Sequence, residues 1–270
     1  MAAAPDKVVL VTGASSGIGL ACAEHLASRG YRVYGASRSA TSAAQVHPIA
    51  MDVTDNASVQ SAVEHLLARE GRIDIVVNNA GMAIGGAVED TSLEEARAQF
   101  DVNFFGVLRV CRTVLPHLRQ QRAGYLVNIG SIGGLVAIPF QGLYSASKFA
   151  LEGLTESLRM EMSPFGVRVV LLEPGDHRTG LTGNRRMTAD SQTNPAYRDR
   201  FQCAVDRIAK DEQNGPAPEA VARLLYQVIN KRHPRLRYTV GPAPERAAVW
   251  LKRFAPYALV EKIMASYYSR

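Results

Sequence analysis

A glycine-rich turn near the start of the chain constrains the fold more than any other feature. The β-branched run from Lys7 to Thr12 predicts a strand, and the periodicity from Gly17 to Ser28 predicts a helix that Gly30 closes. The turn between them reads TGASSGIG. Glycines in such a turn let the backbone approach a pyrophosphate, which the free amides of the helix N-terminus favour. An ordinary tight turn is the alternative, because glycine-rich turns also end strands.

The glycine spacing in this turn is Gly-x-x-x-Gly-x-Gly, which differs from the common dinucleotide fingerprint. We predict that the turn holds a dinucleotide through Gly13, Ser15, Ser16, Gly17, Ile18 and Gly19.

The end of the second strand is where a dinucleotide-binding fold selects its cofactor. That strand is predicted from Arg32 to Ala36, and Ser37 and Arg38 follow it. An acidic residue there would bond the 2′-hydroxyl of the ribose, whereas an arginine accepts a 2′-phosphate. The sequence therefore favours NADP over NAD, with a plain surface role as the alternative for Arg38.

Two further strands end in polar residues that could reach a cofactor. The third strand, 48–51, leads to Asp52 and Val53 and then to a helix over 56–69. Asp52 is placed to meet an adenine amino group, although a cap or turn role is the commoner use of aspartate there. The fourth strand, 73–77, ends in NNAG. We expect Asn79, Ala80 and Gly81 to lie where parallel sheets bind ligands, with structural turn chemistry as the alternative.

A long helix is predicted from Ser92 to Leu118. Ser92 and Glu95 form a capping box at its start, and Pro116 lies near its end. Asn103 is a polar residue within the apolar stretch of this helix. It either organises a water chain towards Lys148 or is a satisfied core amide.

The central chemical feature is a hydroxyl, a phenol and an ammonium in one stretch. Ser131 follows the strand predicted over 125–129, and Tyr144 and Lys148 lie in the helix predicted over 142–162. A spacing of four residues places the tyrosine and the lysine on one helix face. A phenol ionises little at neutral pH without a neighbouring cation. The three side chains could transfer a proton, although Tyr-x-x-x-Lys alone also occurs by chance.

The last third of the chain supplies the cover of the predicted pocket. A strand over 165–172 leads to Pro174 and Gly175, and Thr179 could offer its hydroxyl to a nicotinamide amide. Residues 177–215 are polar and irregular, which is typical of a substrate lid. A helix over 218–229 and a strand over 237–240 follow. Residues 245–270 predict two amphipathic helices interrupted by Pro256, as core or pocket cover in preference to membrane contact.

Length and composition indicate one globular domain over residues 1–270. The chain holds no run of about 18 apolar residues, so we expect a cytoplasmic protein. Cys22, Cys111 and Cys203 have no His at metal-ligand spacing, which favours buried thiols and no metal site. Residues 1–177 carry a net charge of −3 and residues 178–270 one of +9.

That basic third could meet an anionic substrate, an acidic protein or a membrane surface, with a solvated face as the plainer interpretation. Its basic residues form no run with interleaved aromatic residues, so we do not expect nucleic-acid binding.

With these residues in hand, the chain resembles the short-chain dehydrogenase/reductase family. The resemblance covers roughly residues 7–179, and within the family it is strongest to the branch that holds 17β-hydroxysteroid and retinol dehydrogenases. It implies an α/β Rossmann-type, doubly wound sheet of seven mainly parallel strands with helices on both faces. The motifs that carry it, in family order, are TGASSGIG, Asp52, NNAG, Asn103, Ser131, Tyr144, Lys148 and the Pro174–Gly175 pair.

The resemblance also implies a role for each residue of the site. Tyr144 would give or take the proton, and Lys148 would lower its pKa and hold the nicotinamide ribose. Ser131 would orient the carbonyl, and Asn103 would complete a proton relay. The resemblance also implies that Thr179 contacts the nicotinamide, and the chain departs from the family two residues earlier, at His177, where an aliphatic residue is usual.

These features predict an NADP(H)-dependent oxidoreductase that acts on a lipophilic, steroid- or retinoid-like ketone, aldehyde or alcohol. Reduction of 3-oxoacyl thioesters is an alternative, in which the basic third would receive a phosphopantetheine carrier. A cofactor-sensing protein without turnover is an alternative of another class. The helices 92–118 and 142–162 could pair across a two-fold axis, which predicts a homodimer or homotetramer.

Overall fold

A sheet of seven parallel strands forms the centre of the computed structural model, which describes residues 7–38 and 43–269. The strands are β1 Val8–Thr12, β2 Arg32–Ser37, β3 Val46–Ala50, β4 Ile75–Asn78, β5 Ile84–Gly85, β6 Gly124–Ile129, β7 Val167–Pro174, β8 Arg186–Met187 and β9 Arg237–Val240. The sheet runs in the order β3-β2-β1-β4-β6-β7-β9, and β5 pairs with β8 in a separate two-stranded sheet. The prediction of a doubly wound seven-stranded sheet is confirmed. The small sheet was not predicted.

Helices cover both faces of the sheet. They are α1 Gly17–Ser28, α2 Asn56–Glu70, α3 Leu93–Phe100, α4 Gly106–Gln121, α5 Gly142–Met162, α6 Leu181–Asn184, α7 Ala189–Thr193, α8 Arg198–Asn214, α9 Glu219–Ile229, α10 Ala243–Phe254 and α11 Tyr257–Tyr268. One core packs α2, α4 and α5 against the sheet, and the other packs α1 and α9 against the opposite face. Val8 and Leu10 of β1 belong to the first core, while Val9 and Val11 belong to the second. Strands buried on both faces explain the continuous apolar runs of the sequence.

The long helix predicted over 92–118 is interrupted by a wider turn. A π-helical segment, Asp101–Phe105, joins α3 to α4 without a loop. The capping box of Ser92 and Glu95 is present at the start. Pro116 lies inside α4. Wider turns of this kind occur often at functional positions, and this one carries Asn103.

Several predicted boundaries differ by a few residues. The third strand begins at Val46 and not at 48, and β7 begins at Val167 because Phe165 lies in a 3₁₀ turn closed by Gly166. The helix 142–162 and the strand 237–240 are confirmed at both ends. The segment 177–215 is more regular than predicted, since α6, β8, α7 and α8 occupy most of it.

The C-terminal helices cover the cleft with one part and leave another part exposed. Val260 of α11 is buried. Trp250 and Phe254 stack on each other at 5.5 Å between ring centroids, yet they are 65% and 70% exposed. The prediction that this aromatic pattern is core is therefore wrong for these two residues and for Tyr257, which is equally exposed. Within the described residues, no helix combines the length and the hydropathy that a membrane span requires.

Candidate active site

A cleft of about 870 Å³ opens at the carboxyl ends of the central strands. The strand order reverses between β1 and β4, and parallel α/β sheets bind ligands at such a crevice. Most of the residues predicted to bind a cofactor line it. They are Gly13, Ser15, Ser16, Gly17, Ile18, Ser37, Arg38, Asp52, Val53, Asn79, Ala80, Gly81, Tyr144, Lys148, Pro174, Gly175 and Thr179. Ser131 also lines the cleft, whereas Gly19 and Asn103 lie behind its wall.

The glycine turn has the shape that a pyrophosphate needs. Gly13 and Gly17 have φ angles of +66° and +57°, which disfavour other residues. A Cβ atom on Gly13 would lie 2.7 Å from Ala80 Cα, so the turn packs directly on the loop after β4. Ser16 precedes α1, and its side chain makes no capping hydrogen bond within the described structure. The first amides of α1 thus remain available to an anion, and the turn fits a dinucleotide.

Gly19 contributes to the turn by close packing. A Cβ atom there would lie 2.3 Å from both Asn79 Nδ2 and Gly13 O. Gly19 therefore lets α1 approach the turn and the next loop, which is a packing role beside its predicted contact with the cofactor.

Asn79 ties the loop after β4 to the end of β1. Its Nδ2 donates to Thr12 O at 3.0 Å and to Gly13 O at 3.1 Å. Thr12 Oγ1 accepts from the backbone N–H groups of Asn79 and Ala80. The Asn79 amide therefore stabilises the turn, which was the alternative given above. The same loop also lines the cleft. Sequence reasoning missed Thr12, whose signal is its place directly before the glycine turn.

The predicted adenine and ribose end of the cleft carries Arg38 and Asp52. Arg38 follows β2 and is exposed to the cleft. Asp52 Oδ1 accepts hydrogen bonds from the N–H and the hydroxyl of Thr54 at 2.9 and 2.8 Å. These bonds hold the pKa of Asp52 below its usual value, and the nearby Arg38 charge adds to the effect. Asp52 is therefore a turn residue, as the alternative had it, and it also lines the cleft.

The structure brings Ser131, Tyr144 and Lys148 together. Ser131 caps a 3₁₀ turn, Ile132–Gly134, and its Oγ accepts from Gly133 N at 3.0 Å. The Ser131 hydroxyl is also hydrogen-bonded to the Tyr144 phenol. Lys148, one turn further along α5, places its Nζ 5.9 Å from the centroid of the Tyr144 ring. That Nζ donates to Ile129 O, the last residue of β6, at 2.9 Å.

Burial dominates the electrostatics of the tyrosine and the lysine. It raises the pKa of Tyr144, against the opposing hydrogen bond from Ser131 and the positive charge of Arg185. It lowers the pKa of Lys148 to about 8, against the attraction of Glu152. Lys148, which was predicted to lower the Tyr144 pKa, is not among the main influences on it, and burial outweighs the others. The phenol is therefore protonated at neutral pH, as a general acid requires.

Asn103 is a fully engaged buried amide. Its Oδ1 accepts from Met82 N at 2.9 Å, and its Nδ2 donates to Met82 O at 3.0 Å and Ser147 Oγ at 3.1 Å. Of the two alternatives given in the sequence analysis, these hydrogen bonds match the satisfied core amide. A Cβ atom on Gly81 would lie 3.4 Å from Asn103 Oδ1 and 4.0 Å from Lys148 Nζ, so the amide supports the wall beside the lysine.

The loop after β7 closes over the glycine turn. A Cβ atom on Gly17 would lie 3.4 Å from Thr179 Cβ. His177, the departure from the family pattern, is buried, and its Nδ1 lies 2.9 Å from Gly175 O. Its Nε2 has no hydrogen-bond partner among the described residues. Burial lowers the pKa of His177, so it is neutral at pH 7.

Charged residues that sequence reasoning missed line the substrate side of the cleft. They are Arg185, Asp211, Glu212 and Glu245, together with Asp176 after β7. In the sequence these residues look like any other charged residues of polar segments. They come together only in the folded structure, so the sequence alone could not identify them.

Comparisons with known proteins agree with this geometry. The family model described as short chain dehydrogenase matches residues 7–190. The chain is 40% identical to 3-ketodihydrosphingosine reductase of Bacteroides thetaiotaomicron, over 97% of this chain and 98% of the relative. It is 34% identical to human retinol dehydrogenase 8, over 88% of this chain and 82% of the relative. It is 36% identical to rat estradiol 17-beta-dehydrogenase 1, over 86% and 73%.

Solved structures give the same result. A short-chain dehydrogenase from Streptomyces avermitilis superposes with a TM-score of 0.82 at 32% identity, covering 95% of this chain and 96% of that one. A short chain dehydrogenase/reductase from Burkholderia phymatum in complex with NAD gives 0.79 at 29% identity, covering 94% and 95%. The chain belongs to the short-chain dehydrogenase/reductase family and is one of its oxidoreductases.

Proposed function

We propose that the protein is an NADP(H)-dependent oxidoreductase that interconverts a lipophilic ketone or aldehyde and its alcohol. The observation that carries this proposal is the meeting of Ser131, Tyr144 and Lys148 in a cleft whose other end is a dinucleotide cradle. A proton donor beside a cofactor site is what carbonyl reduction requires.

Each of these side chains has one task in the proposed reaction. The nicotinamide, when bound, supplies or accepts the hydride. Ser131 holds the carbonyl oxygen of the substrate against the phenol. Tyr144 donates its proton to that oxygen in reduction, or takes it in oxidation. Lys148 is fixed by Ile129 O and supplies positive charge beside the tyrosine.

The preference for NADP(H) is supported by the end of β2. Ser37 and Arg38 line the cleft there, and neither is a carboxylate that would repel a 2′-phosphate. Guanidinium groups recognise phosphate by charge and by paired donors. Measured affinities for NADPH and NADH test this part of the proposal directly.

The lipophilic character of the substrate is supported by the lining beyond Tyr144. Apolar side chains come from the loop before α5, from α8 and from α11. They are Val136, Ile138, Ile208, Ile263 and Met264. Steroids, retinoids and long-chain ketones all present the apolar surface that such a wall buries.

The experiment is a substrate panel with each cofactor. Oxidation of NADPH and NADH is followed with steroid ketones, retinal, long-chain ketones and 3-oxoacyl thioesters, with Tyr144→Phe as the control. We expect turnover of one lipophilic class with NADPH that Tyr144→Phe lowers by roughly 10²-fold or more. Turnover of thioesters alone would favour the 3-oxoacyl alternative. Tight NADPH binding without turnover of any substrate in the panel would favour the sensing alternative.

We also propose that the protein is a homodimer or homotetramer. Phe105, Phe149 and Met160, on the π-helical segment and α5, are 45%, 39% and 71% exposed, which is apolar surface that a second copy could cover. Lys252 of α10 lies 4.7 Å from the Phe149 ring centroid, so the C-terminus shields part of this face. Light scattering of the purified protein gives the mass, and a monomer at micromolar concentration would contradict the proposal.

A further inference from the structure

Arg185 is a buried guanidinium with unused donors. It is 8% exposed, and its Nη2 pairs with Glu212 Oε1 of α8. Its Nε and Nη1 have no hydrogen-bond partner in the described part of the chain. The small sheet fixes its position, since Arg186 N donates to Ala83 O at 3.0 Å. Buried donors without partners are costly, so these N–H groups point to an oxygen atom of a ligand.

The Arg185–Glu212 pair lies beside the proposed proton donor. Both residues line the same cleft as Tyr144. The positive charge of Arg185 lowers the pKa of Tyr144, and the negative charge of Glu212 raises it, which requires both groups to lie near the phenol. A ligand oxygen on Arg185 would therefore lie in the same cleft as the phenol that meets the reacting carbonyl.

A pair of carboxyl groups lies on the same side of the cleft. Glu245 Oε2, at the start of α10, accepts from Asp176 N at 2.9 Å, and the two side chains are hydrogen-bonded to each other. Burial, together with the charges of Glu245, Glu212 and Asp211, raises the pKa of Asp176 to about 8. The pair thus shares a proton at neutral pH and keeps about one negative charge.

Within the described residues, no Lys or Arg neutralises this carboxyl pair. Arg185 is committed to Glu212, and Arg207 pairs with Asp211 at 3.1 Å. No group of three or more acidic, His or Cys side chains in the described chain could hold a metal ion. An ammonium group suits the remaining charge, because it brings one positive charge and three donors.

We propose that Arg185 and the Asp176–Glu245 pair form a head-group subsite that holds a hydroxyl oxygen and an ammonium group beside the reacting carbonyl. The substrate class is then a lipophilic α-amino ketone with a neighbouring hydroxyl group. This deepens the proposed function and rests on it for the reacting carbonyl alone.

The first test is binding, which needs no turnover. The full chain saturated with NADP⁺ is titrated by calorimetry with a saturated 2-amino-1,3-diol whose alkyl chain is short enough to keep it monomeric. Its N-acetyl derivative, which has no charge, and its 1-deoxy analogue, which lacks the hydroxyl facing Arg185, are the matched probes. We expect each change to weaken binding by about 10- to 100-fold. Equal affinities for all three probes would overturn the subsite.

The second test assigns the two contacts. Glu245→Gln should lower the preference for the amino diol over its N-acetyl derivative about tenfold or more, whereas Glu261→Gln, on the exposed face of α11, should keep it. Arg185→Gln should lower the preference for the amino diol over the 1-deoxy analogue, whereas Arg198→Gln, exposed on α8, should keep it. Unchanged preferences in the subsite variants would assign the recognition elsewhere.

Loss of folding is controlled in the same series. Arg185→Gln removes the buried ion pair between Arg185 and Glu212, so NADPH binding is measured first as a check on the fold. Arg185→Lys keeps the charge beside Glu212 but loses the forked donors. It should bind NADPH and still lose preference for the hydroxyl group, and retention of that preference would count against the assignment.

Turnover separates the two proposals. Equal kcat/KM for an amino hydroxy ketone and for a plain ketone of the same length would overturn the subsite and leave the proposed function in place. Selective binding of the amino diol without reduction of any carbonyl would uphold the subsite and overturn the proposed function.

Discussion

Lys148 Nζ donates a hydrogen bond to the carbonyl oxygen of Ile129 at 2.9 Å, which joins the helix that carries the tyrosine to the last residue of β6. The lysine is 6% exposed, so its ammonium is desolvated as well as fixed. A buried ammonium held in this way is well positioned for catalysis, but its desolvation lowers the free energy of unfolding.

That cost predicts how stability depends on pH. The pKa of Lys148 falls from an unperturbed 10.5 to about 8, so between these values the unfolded chain binds more protons than the folded chain. The penalty is full below pH 8 and disappears as the pH rises through 10.5. We expect the free energy of unfolding of the wild type, relative to Lys148→Met, to rise by about 3 kcal/mol across this window.

Urea unfolding at several pH values measures this difference. The two proteins are compared by how their free energy of unfolding changes with pH. The cost of leaving Ile129 O without its donor in Lys148→Met is the same at every pH, so it does not affect this comparison. Lys210→Met, at an exposed position of α8, is the control and should follow the wild type. Parallel curves for the wild type and Lys148→Met would show that the lysine is not desolvated in the folded protein.

The hydrogen bond from Ser131 to Tyr144 predicts a change in the pH profile of alcohol oxidation. The bond lowers the pKa of the phenol, so Ser131→Ala should raise that pKa. Oxidation needs the ionised phenol as a base, and its rising limb should move to higher pH. Loss of a donor to the substrate oxygen should also lower kcat by roughly 10²-fold.

The profile of kcat/KM against pH tests this, with Ser157→Ala as the control. Ser157 also lies on α5, but it is exposed and bonds Glu161. A lower rate with an unmoved rising limb would mean that Ser131 acts on the substrate alone.

Arg38 should set the choice between cofactors. Arg38→Asp removes a donor to the 2′-phosphate and supplies a carboxylate for the ribose 2′-hydroxyl. We expect the affinity for NADPH to fall about 10- to 100-fold and NADH to become the preferred cofactor. Equilibrium titration of both cofactors measures the ratio, and Arg112→Asp, exposed on α4, controls for charge alone. If NADPH still binds better than NADH to Arg38→Asp, another residue selects the cofactor.

The sequence was sufficient where a local pattern determines the structure. The order of strands and helices follows from apolar runs and glycine turns, and the helix that carries Tyr144 was bounded correctly at both ends. The cleft residues share the carboxyl edge of one sheet, so their meeting followed from the strand order. The prediction that Ser131 lies beside the phenol needed only a strand end and a helix start.

The remaining features depend on distant contacts. The two-residue strands β5 and β8 pair across about a hundred positions, and neither has a pattern of its own. Arg185 and Glu212 are separated by 27 positions, and Asp176 and Glu245 by 69. Local periodicity holds no information about such pairs, so the charged wall of the cleft appears only in three dimensions.

Two helical glycines offer a matched test of the cradle. A Cβ atom on Gly19 would lie 2.3 Å from Asn79 Nδ2 and from Gly13 O, whereas one on Gly153 would meet no atom of the described residues within 4 Å. Gly153→Ala should therefore stabilise the protein by about 0.5–1 kcal/mol, because alanine loses less backbone freedom on folding. Gly19→Ala should destabilise it by about 1–3 kcal/mol, because the glycine turn must move to admit the methyl group.

The same pair of variants links packing to cofactor binding. Displacement of the turn by Gly19→Ala removes the amides from their position at the N-terminus of α1, so the affinity for NADPH should fall by at least about tenfold. Gly153→Ala, on the exposed side of α5, should bind NADPH as the wild type does. Thermal unfolding and NADPH titration on both proteins give the four values required. Wild-type affinity in Gly19→Ala would show that the cradle tolerates a wider gap between α1 and Asn79 than the structure allows.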